Sequence, residues 1–390
     1  MRKLLHSLFL LVSVVCLAQT KPAYSDVDSK MAKIPLELSA STTGIAKFIS
    51  DNFKTDSDKI RAVFYWTTIN ISYDVPNMFV PNQLESPQEK IEKTLKTRKG
   101  VCIHYAEVFN DISNKIGIKS RIIEGYTKQN GAIATIAHAW CAAKIDNKWL
   151  VFDPTWGAGG VQNGKFVRKL NNTFFKAEPS KIIASHMPFD YMWQFLNYPV
   201  TNAEFYAGKI QVDKTKKYFD FEKEIDRYEK ASETDQLFES AARIEKNGIK
   251  NNLILEYYNV KKKQWNAVMQ NTNVDKMNAI VAEFNEAVLQ LNDFIMYRNN
   301  KFKPTFSDEK ISQMIQIPRE KLTKCQNDIF KISMVGTENA SNLMALKNTI
   351  ADAVVQAEDN AAFVKNYLNK SKLVRKTMFS KVSWFGIPLN

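Results

Sequence analysis

Two residues, Asp146-Asn147, constrain this chain more than any others, because they sit between the runs "HAWCAAKI" and "KWLVFDP". Both runs are rich in β-branched and aromatic residues, and Asp-Asn is good chemistry for a two-residue hairpin turn. Such a turn sets the register of everything around it. Ile145 pairs with Lys148, Cys141 falls opposite Phe152, and Trp140 falls opposite Asp153. His138 is then the diagonal neighbour of Asp153 on one face, at a Cβ separation of roughly 7 Å, within reach for an imidazole and a carboxylate. Cys141 points to the other face, since side chains alternate along a strand. Pro154 holds Asp153 extended at the strand's end.

A third reactive group stands in "RKGVCIHYAEVF". From Cys102 to Lys115, Tyr105, Phe109, Ile112 and Ile116 recur at helical spacing, and Gly117 is a natural stop. A thiol at a helix N-terminus meets unpaired N–H groups and the positive end of the dipole, which can bring its pKa from ~8.5 into the range ~3.5–7.5. A nucleophile needs a base, and the base needs an orienting group. Cys102, His138 and Asp153 supply those three types. A buried packing cysteine, a strand histidine bonded to backbone and an aspartate in a turn fit the same residues, and spacing alone leaves both readings open.

Other chemistry is poorly supported. Zinc pairs of the CxxC type, HExxH and a calcium loop are absent from the sequence. A metal site of Cys102, His138 and Cys141 is disfavoured because Cys141 faces away, so neither a metal nor another cofactor is expected. "GGVQNGKF" fits a phosphate-loop pattern up to Lys165 but ends in Phe166, and Asn163-Gly164 reads more simply as a hairpin turn. His104 lies two residues after Cys102, about 200° round the helix, and is expected to be a surface or packing histidine. His186 is read as a structural anchor for an aromatic loop, and Trp140 as a support for the cleft and for His138.

The N-terminus "MRKLLHSLFLLVSVVCLAQT" has a basic start, an apolar run and small residues before Gln19, which predicts a signal peptide cut after Ala18 and an exported protein. Val15 stands where a lipidation motif wants a small residue before Cys16. Removing residues 1–18 takes away Arg2 and Lys3 and no acidic residue, so the net charge falls from +13 to +11. That balance favours anionic partners such as envelope polymers or acidic proteins. No nucleic-acid motif accompanies the charge, and no later apolar run is long enough to span a bilayer. The remaining Cys102, Cys141 and Cys325 are an odd number, so at least one thiol is free or pairs outside the chain.

With 390 residues, 45% of them hydrophobic, two domains are expected. Residues 42–70 read as two helices, the second capped by Ser57 or Asp58, and Pro87 opens another. Residues 155–210 read as irregular and aromatic. After about Tyr218 the texture turns helical. One apolar stripe runs through Met277, Ile280, Val281, Phe284, Val288, Leu291 and Ile295, and another through Leu343, Leu346, Ile350, Val354, Ala357, Val364 and Leu368. The boundaries are placed at 1–18 for the signal peptide, 19–210 for the domain holding Cys102, and 211–390 for an all-α domain.

The phrases "KIRAVFYWTTINISYD", "RKGVCIHYAEVFNDISNKIGIKSRIIEGYT" and "HAWCAAKIDNKWLVFDPTWGAG" resemble the transglutaminase-like superfamily, and "SHMPFDYMWQFLNYPVTNAEF" resembles its kyphoscoliosis peptidase-like branch. The resemblance covers about residues 42–210. It implies an α+β, papain-like core in which Cys102 opens a helix as nucleophile, His138 is its base and Asp153 orients the imidazole. It also implies acyl transfer through a thioester, with a backbone oxyanion hole that includes the Cys102 N–H. Peptide or amide hydrolysis on a protein or envelope substrate is expected. An amine-accepting transglutaminase and a non-catalytic protein-binding scaffold are the alternatives. Family members commonly have Asn after H-A-W, where this chain has Cys141. The resemblance says nothing of residues 219–390, of the substrate's identity or of the oligomeric state.

Overall fold

A computed structural model describes residues 23–80 and 85–379, together with the backbone of two short paired strands at 383–384 and 387–388. The expected signal peptide lies outside the described residues. The helices are α1 (Ser25–Met31), α2 (Thr42–Asn52), α3 (Asp56–Asn70), α4 (Pro87–Thr97), α5 (Cys102–Lys115), α6 (Pro154–Ala158), α7 (Pro179–Ile182), α8 (Asn202–Tyr206), α9 (Phe221–Lys230), α10 (Glu233–Lys246), α11 (Asn252–Asn299), α12 (Asp308–Phe330), α13 (Thr337–Leu368) and α14 (Lys372–Thr377). The strands that bear on the site are β1 (Ser72–Tyr73), β2 (Lys99–Gly100), β3 (Ser120–Gln129), β4 (Ala132–Ile133), β5 (His138–Ile145), β6 (Lys148–Phe152), β7 (Gly159–Gln162), β8 (Lys165–Arg168) and β9 (His186–Pro188).

Local sequence accounts for most of these bounds. Asp146 and Asn147 both have positive φ, 48° and 62°, as a type I′ turn requires, and Cys141 pairs with Phe152 and Ile145 with Lys148 as expected. Asn163 and Gly164 turn β7 into β8 in the same way. At the end of α5, Gly117 takes φ +83°, while the Ile118 N–H reaches Ser113 O and the Gly117 N–H reaches Asn114 O, closing the helix with a Schellman motif. Ser86 and Glu89 cap α4 reciprocally ahead of Pro87. The cap of α3 differs from the expected Ser57 or Asp58: Thr55 is extended and its hydroxyl accepts from the Asp58 N–H at 3.1 Å, so the helix begins earlier.

The central sheet is antiparallel, in the order β4-β3-β5-β6, and β9 also pairs with β3, over Gly125 to Thr127. Both faces are covered. Ala139, Cys141, Ala143 and Ile145 of β5 pack toward α5 in one apolar core. Trp140 and Ala142 join Met192, Phe195 and Ile225 of α9 in another. A doubly buried strand needs no polar alternation, which is why "HAWCAA" reads as continuously apolar. This is the papain-like α+β arrangement that the resemblance implies.

The described residues form two compact units. The first runs to Lys230 and resumes over Ser240–Tyr258; the second holds Ala231–Glu239 and the chain after Asn259. The composition change near residue 210 therefore precedes the edge of the first unit, because Ile225, Ile244 and Ile254 are all buried in it. In the second unit both apolar stripes pack with α12 into one core, joined by Ile311, Ile315, Leu322 and Cys325.

Within the first unit, Arg243 reaches both oxygens of Asp190 at 2.8 Å, with the two side chains 7% and 3% exposed. Replacing Arg243→Met leaves the Asp190 charge buried without its partner, which is expected to cost about 3–5 kcal/mol. Urea unfolding followed by tryptophan fluorescence measures it. A loss well under 1 kcal/mol, on the order of a surface pair, contradicts the burial of this ion pair in the first unit's core.

Candidate active site

The turn at Asp146-Asn147 delivers His138 and Asp153 to one end of the sheet, where His138 Nε2 lies 2.8 Å from Asp153 Oδ2. That leaves Nδ1 as the ring nitrogen free to serve Cys102, which lines the same cleft as His138. Cys102 stands at the first position of α5, where backbone N–H groups have no intrahelical acceptor. The parallel pairing of Tyr73 with Gly100, two residues before Cys102, brings the Tyr73 phenol into the same cleft. The three residue types read from the sequence are thus brought together.

The cleft has a volume of about 650 Å³, and Tyr73, Cys102, His138, Thr155, Trp156 and Phe174 contribute to its lining. Trp140 stands behind the lining instead of in it: it is buried, stacked on His138 at 5.9 Å and edge-on to His186 at 5.1 Å. Trp156 is the tryptophan that walls the cleft, 5.6 Å from the His138 ring. Gly125 makes room for this arrangement, since a Cβ there would meet the Trp140 ring at 2.6 Å and the backbone of β9. Cys141 points into the core, its Sγ 3.4 Å from Ala106 O. Cys102, Cys141 and Cys325 are all free thiols.

Two features were missed in the sequence. Asp153 caps the short helix α6, its Oδ1 accepting from the Thr155 and Trp156 N–H groups at 2.8 and 3.0 Å. Asp followed by Pro at a first helical position was the available signal. His186, held to be a structural anchor, is also a direct partner of Asp153: its Nε2 lies 3.1 Å from the same Oδ2 that binds His138. Its Nδ1 faces Ser185 Oγ at 2.8 Å. His104 turns back as a packing residue, with Nδ1 accepting from the Val101 N–H at 3.2 Å.

Burial opposes charge on His138, but the charge and hydrogen bond of Asp153, with Cys102 beside it, lift its pKa to about 10. Burial also opposes ionisation of Asp153, yet His138 and His186 hold its carboxyl well below the usual range. Burial lowers His186, which therefore stays neutral at pH 7, donating from Nε2 to Asp153 and accepting from the Ser185 hydroxyl at Nδ1. Burial raises the Tyr73 phenol, as do Cys102 and Asp153, and keeps it protonated. His138, Asp153 and His186 also form the one group among the described residues with metal-ligating atoms in mutual reach, all within 4.8 Å. Their donors and acceptor already satisfy one another.

These shifts have opposite signs in stability. His138 is raised above its ordinary 6.5, so its contribution is complete below that pH and is lost as pH rises through about 10. Asp153 is depressed, so its contribution is complete above its ordinary 3.8 and is lost as pH falls below it. In Asp153→Asn the acid limb of melting temperature against pH is expected to flatten; an unchanged limb refutes the coupling. His186→Ala removes one donor from a buried carboxylate and is expected to cost about 1–3 kcal/mol. His186→Gln, which keeps an N–H donor, should lose less.

The family model described as the transglutaminase-like superfamily matches residues 43–154, a span that includes Cys102, His138 and Asp153. The human kyphoscoliosis peptidase is 28% identical over 174 residues, covering 42% of this chain and 26% of that protein. A LIM and transglutaminase domain protein of Caenorhabditis elegans is 21% identical over 204 residues, covering 48% of this chain and 28% of its own length. The chain thus spans about a quarter of the length of these curated relatives. Among solved structures, a candidate cysteine protease from Cytophaga hutchinsonii is 25% identical with a TM-score of 0.23, covering 29% of this chain and 37% of that one. Among the described residues no helix is long and apolar enough to cross a membrane. Residues 43–154 are a transglutaminase-like superfamily domain, joined by the likeness to the kyphoscoliosis peptidases.

Proposed function

We propose that this chain is a cysteine enzyme that transfers acyl groups through a thioester on Cys102, with hydrolysis of a peptide or amide bond as the outcome. The observation that carries the reading is the imidazole of His138, held by Asp153 at 2.8 Å and sharing an open cleft with Cys102. In this scheme the thiol proton rests on His138, whose imidazolium stands beside the Cys102 thiolate, and the sulfur attacks the carbonyl carbon. The C–N bond then breaks as His138 returns the proton to the leaving amine, and water cleaves the thioester. Asp153 keeps the ring in the required tautomer. In the scheme the Cys102 N–H, at the first position of α5, receives the oxyanion. Export to the envelope or beyond, on the strength of residues 1–18, and a protein or envelope substrate belong to the same proposal.

Iodoacetamide labelling of Cys102 separates an enzyme from a binding scaffold of the same fold. An activated thiol reacts well below pH 8, whereas a thiol that stays unreactive there supports the scaffold. Hydrolysis of a small amide is expected to be lost in Cys102→Ala and reduced less in Asp153→Asn, where the base survives but is misoriented. Hydrolysis should also fall as pH rises through about 10, when His138 no longer carries the proton for the leaving amine. Alkylation, which needs no such proton, should not fall there. Parallel loss of both processes contradicts the assigned role of His138.

A further inference from the structure

The walls of the cleft speak to what is attacked, an inference that rests on the acyl-transfer reading of Cys102. Among the described residues lining it there is no Asp, Glu, Lys or Arg, so His138 is its one charged group. Phe79, Trp156 and Phe174 supply aromatic surface, and Phe79 is 71% exposed at the rim. The polar groups are neutral. Thr155 is 7% exposed, and its Oγ1 is buried without a hydrogen-bond partner among the described residues. A buried hydroxyl in that state gains from a polar group of a ligand.

The backbone beside His138 is also open. Ala134 donates to Thr127 O, continuing the β3–β4 pairing, but no backbone hydrogen bond is made by Thr135, Ile136 or Ala137 among the described residues. Thr135 and Ala137 are exposed, and all three line the cleft. The chain bends at Thr135 and Ile136, and its backbone groups there are available to a bound peptide.

We propose that the cleft takes a peptide whose side chain nearest the attacked carbonyl is large and uncharged, either aromatic or branched aliphatic. A charged side chain in this position loses its water, and the one charged group of the cleft, His138, is already paired with Asp153, so the burial is costly. An aromatic or branched one gains contact area on the rings. The chain's net charge of +13 therefore does not select the residue at the scissile bond, because none of the Lys or Arg surplus lines the cleft.

The test uses the full chain and four peptidyl acyloxymethyl ketones that differ only in the residue next to the electrophile: Phe, Leu, Asp or Lys. The Cys102 sulfur bonds to the methylene carbon and a carboxylate leaves, so the second-order rate is read as mass gained at Cys102. Iodoacetamide, which carries no peptide, reports the thiol's own reactivity. The Phe and Leu probes are expected to react at least tenfold faster than the Asp and Lys probes. In Val161→Glu, at an exposed lining position on β7, the Lys probe should gain at least fivefold on the Phe probe. Equal rates for all four probes, with iodoacetamide still labelling Cys102, overturn this inference and leave the nucleophile standing. An unchanged preference in Val161→Glu overturns the assignment of the side chain to this cleft. A Cys102 inert to iodoacetamide overturns both this inference and the acyl-transfer reading.

Discussion

A carboxylate with no solvent exposure, Asp153, receives four hydrogen bonds, and the geometry of the site follows from where its two oxygens point. Oδ1 is spent on the first turn of α6, fixing the direction in which the chain leaves β6 and carries Trp156 into the cleft wall. Oδ2 is shared by two imidazoles that arrive from different strands, His138 on β5 and His186 on β9. Burying an ion is costly unless it is paired and hydrogen-bonded. Here every compensating bond also positions a side chain of the site. One group therefore links helix capping, the closure of the sheet by β9 and the orientation of the His138 ring.

The division of protons between the two histidines follows from that sharing. A single negative charge can support one adjacent imidazolium, and a second would face the first across a ring separation of 5.7 Å. His138 is the one raised, having the closer contact with Asp153 and Cys102 on its other side. His186 is enclosed by Trp140, Trp156 and Phe174, so burial keeps it neutral, and a neutral ring still donates one N–H. The pair thus gives Asp153 two donors while the cleft gains one positive charge, on the ring that faces the thiol.

How much of this was legible in the sequence depended on the distance over which each contact is decided. The β5–β6 register is set by a two-residue turn, so His138, Asp153 and the inward Cys141 follow from local chemistry. Helix α5 with its glycine stop, the Asn163-Gly164 hairpin and the apolar stripes of α11 and α13 are likewise local patterns. The pairing of β9 with β3 is not local: Thr127 meets His186 across 58 intervening positions, in a strand of three residues that ends in Pro188. Nothing in its own periodicity marks so short a segment as a strand, so the second histidine on Asp153 stayed out of view. The same holds for the β1–β2 contact that brings Tyr73 to Cys102. It also holds for the burial of Ile225, Ile244 and Ile254, which extends the first unit past the change in composition.

The start of α5 shows why a functional site can look locally suboptimal. Helix N-caps favour Ser, Thr, Asp or Asn, whose side-chain oxygen satisfies a first-turn N–H and contributes about 1 kcal/mol. The residue here is Val101, which has no such oxygen. Part of the loss is recovered from the opposite direction: His104 folds back to accept from the Val101 N–H, and Gly100 permits this because a Cβ there would lie 2.5 Å from His104 Cβ. The first-turn donors of the helix itself remain uncommitted to a side chain. In the proposed reaction an oxygen on residue 101 would occupy those N–H groups, where the negative charge of the attacked carbonyl is to develop. A cap that is good for the helix is thus bad for the proposed chemistry, and the Gly100-Val101-Cys102 step suits that proposal.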